Sequence, residues 1–219
     1  MLFIVATPIG NLEDITLRAI KTLTEVDLIA AEDTRHTRIL LDRHNIKTSV
    51  TSYHSHTTDK KIHALVEEMK NGKKIALVSD AGTPGISDPA YSLIQAALAA
   101  DIEITPIPGP AAFLTGLMGS GLPMDKFVYL GFVPAKKGRQ TLFESIREET
   151  RTVALYESPH RIQKTLTQML EILGPDRRVV LARELTKLHE TFHRGTLQEI
   201  HTEFEQMKPK GEITLLMGP

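Results

Sequence analysis

Residues 75–89 read Ile75-Ala76-Leu77-Val78-Ser79-Asp80-Ala81-Gly82-Thr83-Pro84-Gly85-Ile86-Ser87-Asp88-Pro89. The first four residues form a short apolar run, which is typical of a buried strand in a parallel sheet. The prolines and glycines that follow cannot continue a strand or a helix, but they can hold bare backbone close to a ligand. Ligands of open α/β sheets bind at the carboxyl ends of the strands. We therefore expect a binding loop at residues 79–89.

On both sides of this loop, strand-like runs alternate with helical segments. The predicted strands are Leu2–Thr7, Leu28–Ala31, Ile75–Ser79 and Ile104–Ile107, with Ser49–Ser52 as a weaker candidate. The predicted helices are Thr16–Glu25, Thr34–Asn45, Thr58–Asn71 and Pro89–Ala100. Such alternation predicts a parallel sheet with helices on its faces.

Each strong strand of this half is followed by a loop of unusual composition. The loops are residues 7–11 (Thr-Pro-Ile-Gly-Asn), 32–35 (Glu-Asp-Thr-Arg), 79–89 and 108–111 (Pro-Gly-Pro-Ala). Parallel strands place their carboxyl ends at one edge of the sheet. The four loops therefore predict a shared site at that edge, although proline and glycine also serve simply to end regular structure.

The pattern restarts after the glycine-rich stretch Gly116–Pro123, which we interpret as a domain boundary. Strands are predicted at Phe127–Leu130, Thr152–Tyr156, Arg178–Ala182 and Ile213–Met217, and helices at Gln140–Glu149, Arg161–Leu173 and Gln198–Met207. The prediction is an N-terminal α/β domain over residues 1–118 and a C-terminal α/β domain over residues 119–219. A binding cleft between two such domains is expected, because pockets favour domain interfaces.

Composition narrows the class of protein. The chain has 219 residues, 41% of them hydrophobic and 24% charged, which is ordinary for a soluble globular protein. Its net charge of −1 excludes a strong overall attraction to nucleic acid or membranes, but a local basic patch remains compatible with it. The absence of cysteine excludes thiolate chemistry and fits a reducing compartment. No signal peptide or membrane span is predicted, so we expect a cytoplasmic location.

Two further patterns allow more than one interpretation. Residues 189–193 read His-Glu-Thr-Phe-His and match the zinc-protease pattern His-Glu-x-x-His. Gly195 follows closely and Thr191 and Phe192 are poor helix formers, so a polar connection is the better interpretation. The basic residues 136–139 (Lys-Lys-Gly-Arg) are typical of a solvated loop and would also suit a phosphate backbone.

Taken together, the motifs resemble one family along nearly the whole chain, from Leu2 to Met217. They are Thr7–Leu12, Glu32–Arg35, Ser79–Pro89, Pro108–Pro110, Tyr156–Ser158, Arg183–Lys187 and Lys210–Glu212. As a set they are similar to the bacterial ribosomal RNA small-subunit methyltransferase I family, within the tetrapyrrole-methylase superfamily. Relatives that act on tetrapyrroles usually carry a first loop of the type Gly-x-Gly-x-Gly-Asp. The loop Thr-Pro-Ile-Gly-Asn at residues 7–11 favours the RNA branch instead.

The resemblance implies two α/β domains, with a parallel sheet in the first and a mixed sheet in the second. It implies a cytoplasmic homodimer that binds S-adenosylmethionine between its domains and no metal. The implied reaction is 2′-O-methylation of a cytidine of 16S ribosomal RNA in the decoding region of the small subunit, a step of rRNA processing. The alternatives are a small-molecule methyltransferase of the tetrapyrrole type and, less favoured, a zinc hydrolase using His189, Glu190 and His193.

The resemblance also implies site residues. Those expected to bind the cofactor are Pro8, Gly10, Ser79, Asp80, Ala81, Gly82, Thr83, Pro84, Pro110, Ala111, Tyr156 and Glu212. Those expected on the substrate side are Asp33, Arg35, Glu184 and Lys187. Asp80 would face the cofactor or cap its own turn. Lys187 would act as a base if burial lowered its pKa, or as a phosphate clamp if it stays charged. A structural ion pair between Glu184 and Arg35 is the competing interpretation.

Overall fold

The computed structural model describes all 219 residues. The chain forms two compact units, Met1–Ala111 and Ala112–Pro219, and each unit has a sheet of its own. No helix combines the length and the apolar character that crossing a membrane requires.

The first unit contains a five-stranded sheet in which every pairing is parallel. Its strands are β1 (Leu2–Val5), β2 (Leu28–Ala31), β3 (Val50–Ser52), β4 (Ile75–Val78) and β5 (Ile104–Ile107). Their order is β3-β2-β4-β1-β5, so β4 lies in the middle with all four of its residues buried. The prediction of a parallel sheet is therefore confirmed.

Four helices cover the two faces of this sheet, namely α1 (Leu17–Glu25), α2 (Thr34–Arg43), α3 (Asp59–Lys70) and α4 (Tyr91–Ala99). Side chains of α1 and α2 pack into one core cluster with Val5 and Ile29, and those of α3 and α4 pack into another with Leu2 and Ala30. Neighbouring residues of one strand thus serve opposite faces. This arrangement explains why the strands are apolar throughout rather than alternating.

The second unit contains a mixed sheet of five strands. They are β6 (Phe127–Phe132), β7 (Thr152–Glu157), β8 (Arg178–Arg183), β9 (Thr191–Thr196) and β10 (Ile213–Met217). The order is β6-β7-β10-β8-β9, and only β6 and β7 are parallel. The mixed sheet that the resemblance implied is confirmed.

Helices of the second unit lie on both faces of the mixed sheet. One core contains residues of α6 (Arg139–Ser145), α7 (Ile162–Leu173) and α8 (Leu197–Glu205), and a separate cluster contains residues of α5 (Ala112–Ser120). α8 begins with a capping box, in which Thr196 and Glu199 exchange side-chain and backbone hydrogen bonds.

Two elements, α5 and β9, differ from the sequence-based prediction. The stretch interpreted as a glycine-rich boundary belongs largely to α5, and the predicted division at residue 118 falls inside that helix. A Cβ on Gly119 would lie 2.5 Å from the ring of Phe192, so this glycine lets α5 approach β9 closely. β9 itself is an edge strand of mostly polar residues, which lack the apolar pattern that identifies a strand.

Candidate active site

The loop after β4 is joined by hydrogen bonds to the loop after β1 at the carboxyl edge of the parallel sheet. The backbone N–H of Thr7 donates to the carbonyl of Gly82 (2.8 Å), and the N–H of Gly82 donates back to Thr7 (3.0 Å). The Thr7 hydroxyl also donates to the Ser79 carbonyl (3.2 Å). Gly82 has φ +77°, which an L side chain rarely adopts. The predicted loops 7–11 and 79–89 therefore form one connected backbone surface.

The loop after β5 joins the same surface. The Thr83 hydroxyl donates to the Pro110 carbonyl (3.0 Å). A Cβ on Gly109 would lie 2.9 Å from the Cβ of Ala6, so only glycine allows the two loops this approach. The result is a surface rich in glycine, alanine and proline. The predicted residues Pro8, Gly10, Ala81, Pro84 and Ala111 lie on these loops.

Asp80 connects this surface to the loop after β2. One oxygen of its carboxylate accepts the backbone N–H of Asp33 at 2.8 Å, and its own N–H donates to the Glu32 carboxylate at 3.5 Å. Asp80 thus bonds to a neighbouring loop. Its carboxylate lies beside the surface where a ligand would be held.

Asp33 and Arg35 form a local pair. The Asp33 side chain begins α2 by accepting the N–H of Arg35 (2.8 Å), and the Arg35 guanidinium returns to the same carboxylate (2.8 Å). Hydrogen bonds from the side chain and backbone of Arg35 hold the pKa of Asp33 well below its ordinary value. Asp33 is therefore an ionised carboxylate and a poor proton acceptor near neutral pH.

Three carboxylates, those of Glu32, Asp80 and Asp88, lie together at this edge. Burial raises the pKa of Asp88 to about 6, and the charges of Glu32 and Asp80 act in the same direction against a hydrogen bond from Ser79. Burial and the charge of Asp80 also raise the pKa of Glu32. We call these three residues the acidic cluster. It would favour a cationic ligand group, because a positive charge relieves the repulsion among carboxylates.

Sequence reasoning selected Asp80 from this cluster but not Glu32 or Asp88. The available signal was position, since Glu32 directly follows β2 and Asp88 lies in the loop after β4. Burial of the two side chains, which makes them unusual, is not visible in the sequence.

The second unit brings together three of the predicted residues. The Lys187 ammonium contacts the Glu184 carboxylate at 3.0 Å and the Glu212 carboxylate at 2.9 Å. The backbone N–H of Glu212 also donates to the Glu184 carboxylate (3.0 Å). In place of the competing interpretation, an ion pair between Glu184 and Arg35, Glu184 pairs with Lys187 and Arg35 pairs with Asp33.

The backbone around this ion pair is strained. Glu184 and Thr186 have φ +52° and +65°, values that are uncommon outside glycine. Gly211 (φ +85°) leaves no room for a Cβ, because the Glu184 carboxyl group occupies that space. Strained residues cluster at functional sites, so this loop is a candidate part of the site.

Burial alone would lower the pKa of Lys187, but hydrogen bonds and charge from Glu212 and Glu184 outweigh it and raise the pKa. For Glu184, burial would raise the pKa, while hydrogen bonds from Glu212 and Lys187 lower it below the ordinary value. Both groups are therefore charged at neutral pH. This state fits a clamp better than a general base.

Tyr156 occupies a different position, on β7, and its hydroxyl accepts the backbone N–H of Phe113 at the start of α5 (3.1 Å). Its ring meets Tyr129 and Phe132 edge-on, with both centroid distances 5.3 Å.

The His-Glu-x-x-His pattern does not lie on a helix. His193 belongs to β9 and its Nδ1 lies 2.6 Å from the Glu203 carboxylate, and His189 lies in the preceding turn. No group of three or more His, Asp or Glu side chains is arranged to hold a metal ion. The geometry of the zinc-protease helix is therefore missing.

The two units define an α/β protein with one parallel and one mixed sheet. The family model for tetrapyrrole (corrin/porphyrin) methylases matches residues 1–201. The chain belongs to this family.

Relatives that are about half identical to this chain share one name. The chain is 49% identical to the ribosomal RNA small subunit methyltransferase I of Thermotoga maritima over 217 residues, which cover 99% of this chain and 97% of the relative. It is 51% identical to the protein of the same name from Synechocystis, over all of this chain and 78% of the relative.

Solved structures share the fold. Uroporphyrin-III-C-methyltransferase from Thermus thermophilus superposes with a TM-score of 0.69 at 17% identity, covering 99% of this chain and 93% of that one. Cobalt precorrin-4 methyltransferase superposes with a TM-score of 0.71 at 16% identity, covering 99% and 94%.

Proposed function

We propose that this protein transfers a methyl group from S-adenosylmethionine to the 2′-hydroxyl of a cytidine in the 16S RNA of the small ribosomal subunit. The observation that carries the proposal is about one-half identity, over the whole chain, to relatives named ribosomal RNA small subunit methyltransferase I. The structural relatives that are named for tetrapyrrole substrates are only 16–17% identical. Small-molecule methylation is therefore the weaker alternative.

The carboxyl edge of the first sheet suits S-adenosylmethionine. This cofactor supplies a methyl group on a sulfonium and carries a positively charged amine. Glycine, alanine and proline in loops 7–11, 79–84 and 108–111 allow backbone groups to approach a ligand, and the acidic cluster offsets positive charge. We propose Pro8, Gly10, Ser79–Pro84, Pro110 and Ala111 as its contacts, together with Tyr156 and Glu212 of the second unit.

Methyl transfer to a ribose requires that the hydroxyl be held in line with the methyl carbon. We propose that Asp33, Arg35, Glu184 and Lys187 serve the RNA side of the reaction. The paired, charged states of all four residues support positioning rather than proton abstraction. Lys187 in particular would contact a phosphate or an oxygen that gains charge in the transition state.

The substrate assignment is tested on small ribosomal subunits that lack the modification. The purified protein should transfer the methyl group to RNA and make one linkage resistant to alkali, because a methylated 2′-oxygen cannot attack the neighbouring phosphate. Transfer to a base, or to a porphyrinoid alone, would contradict the proposal.

The cofactor site is tested by Gly82→Leu. A Cβ at this position would lie 3.3 Å from Ile9 Cγ2, and a longer side chain would cover the backbone surface. We expect calorimetry to detect S-adenosylmethionine binding in the wild type and not in the variant. Gly72→Leu is the matched control, because Gly72 also has positive φ (+92°) but nothing lies within 4 Å of its Cβ position. Equal affinity of the Gly82 variant and wild type would place the cofactor elsewhere.

Lys187→Ala tests the substrate side. We expect methyl transfer to fall at least about tenfold while cofactor affinity changes little, which indicates a contact made to the acceptor or the transition state. Lys187→Arg should retain part of the rate and of its salt dependence, since a clamp needs charge. A base would instead give a rising limb in the pH profile that disappears in the Ala variant. A wild-type rate in Lys187→Ala would make Lys187 purely structural.

We further propose that the protein is a cytoplasmic homodimer. Ribosomal subunits are cytoplasmic, and α5 exposes two large apolar side chains, Leu114 and Met118, on its outer face. Light scattering after size exclusion distinguishes a dimer from a monomer.

A further inference from the structure

The carboxyl ends of β6 and β7 carry a surface that borders on Tyr156, a proposed cofactor contact, and includes none of the other proposed cofactor and substrate residues. The register pairs Tyr129 with Ala154 and then Phe132 with Tyr156, so β6 contains one extra residue. Gly131 has φ +71° within this bulge. A bulge of this kind redirects a side chain at a sheet edge. Phe132 is the side chain redirected here, and it is 56% exposed.

The chain then enters the basic residues 136–139 (Lys-Lys-Gly-Arg), whose lysines and arginine differ in burial. Lys136 and Lys137 are exposed, whereas Arg139 is only 5% exposed. The Arg139 guanidinium donates to the Pro134 carbonyl (2.9 Å), to Thr165 (2.6 Å) and to the Glu157 carboxylate (3.3 Å). Arg139 thus holds the segment against Glu157 and against Thr165 of α7, while the two lysines face solvent.

Glu157 is the centre of this network and is 2% exposed. It accepts hydrogen bonds from Thr165 (2.5 Å) and from the backbone of Ser158 (2.6 Å), and it pairs with Arg161 (2.7 Å) as well as with Arg139. Removing one partner from such a buried network is costly, so its members hold a defined geometry. The network therefore locks the loop after β6 to the loop after β7.

The charge of these two loops is strongly positive. Residues 133–140 contain Lys136, Lys137 and Arg139, residues 157–164 contain Arg161 and Lys164, and the only acidic residue of these two stretches is the buried Glu157. The whole chain, by contrast, has a net charge of −1. Phe132, Lys136, Lys137 and His160 of this region are exposed, and together with the half-buried Arg161 we call them the bulge surface.

We propose that the bulge surface binds a single-stranded segment of the RNA substrate, with a base stacked on Phe132 and phosphates against Lys136 and Lys137. The inference rests on the proposed function and adds the RNA contacts to it. An exposed aromatic ring beside cations is the arrangement that single-stranded nucleic acids require, since bases stack and phosphates need charge. An apolar partner would leave the lysines without a role.

The stacking contact is tested by binding of a mixed-sequence single-stranded RNA oligomer and by the KM for small ribosomal subunits. Phe132→Leu keeps an apolar side chain but loses the ring face. We expect it to raise both the oligomer Kd and KM about tenfold, while kcat stays unchanged. Phe132→Trp keeps a ring face and should bind within about twofold of wild type.

The phosphate contacts are tested by the salt dependence of oligomer binding. Replacing both lysines, Lys136→Ala with Lys137→Ala, should reduce the slope of log K against log salt by about 1.4, or roughly 0.7 for each lost single-strand contact. Lys126→Ala is the matched control, because Lys126 is an exposed lysine of the same unit that directly precedes β6, at the opposite end of that strand. It should leave the slope unchanged.

Wild-type binding and salt slope in the Phe132→Leu and double-lysine variants would overturn the inference. A shift from dimer to monomer in Phe132→Leu would also overturn it, because the ring would then be covered by a second copy of the chain. The proposed function fails separately, if wild-type protein does not methylate subunits. In that case, binding of the single-stranded RNA oligomer to wild type and variants still tests the inference.

Discussion

The carboxylates near the first sheet edge show how neighbours, rather than residue type, set acid–base character. Asp33 is hydrogen-bonded to Arg35 and has a strongly lowered pKa, while Asp88 is half-buried beside two other carboxylates and has a pKa of about 6. The sequence placed the acidic residues after the correct strands. It could not pair them, because the pairing depends on side-chain directions that only the folded chain defines.

Asp88→Asn should stabilise the protein in a pH-dependent way. The folded pKa of about 6 lies above the ordinary 3.8, so the wild-type protein loses stability as pH rises through this interval and remains at the lower level above it. Asn does not ionise. We expect no gain near pH 4, a gain that grows up to pH 6, and a constant gain of about 1 kcal/mol above it, after allowance for solvent screening.

Urea unfolding of both proteins from pH 4 to pH 8 measures this difference. The same variant should bind S-adenosylmethionine more weakly at pH 7, because one anion of the acidic cluster is lost. A stability difference that does not change with pH would show that Asp88 is not the group that titrates.

At the level of elements, the sequence predicted those helices and strands whose burial leaves an apolar pattern. β4 is apolar because both of its faces are covered. The helix predicted from Thr16 is confirmed, and the Thr16 hydroxyl caps its first turn by accepting the N–H of Ala19. α5 was missed because its glycines suggested a break, whereas they provide close packing. β9 was missed because an edge strand can be polar.

Gly119→Ala tests that explanation of α5. Ala favours a helix by about 1 kcal/mol over Gly. Its Cβ, however, would lie 2.5 Å from the Phe192 ring, and overpacking costs about 1 to 3 kcal/mol. We expect a net loss of stability of about 1 kcal/mol by chemical denaturation.

The double variant Gly119→Ala with Phe192→Ala separates the gain in helix propensity from the cost of overpacking. With the ring gone, the substitution at 119 should become favourable. If Gly119→Ala stabilises the wild-type background, the glycine serves no packing purpose.

At the level of the whole molecule, the two units differ in how their sheets are ordered along the chain. The first sheet is complete at Ile107, with neighbours supplied from within residues 2–107. The second sheet has β10 in its interior, between β7 and β8. β7 and β8 therefore depend on Ile213–Met217 for their backbone hydrogen bonds on that side.

Removal of residues 213–219 should unfold the second unit and leave the first. We expect amide hydrogens of β1, β2 and β4 to retain their protection from exchange, while those of β7 and β8 lose it. Removal of Pro219 alone is the control and should change neither. Retained protection in β7 and β8 would mean that these strands hold together without β10.

The interior position of β10 also sets an order of events during synthesis on the ribosome. Residues 1–111 leave the ribosome first and contain every strand of their sheet, so they can fold while translation continues. The second sheet can close only after residues 213–217 emerge, and until then β7 and β8 expose edges that invite wrong partners. A pause in translation would therefore leave one half native and the other in need of a chaperone.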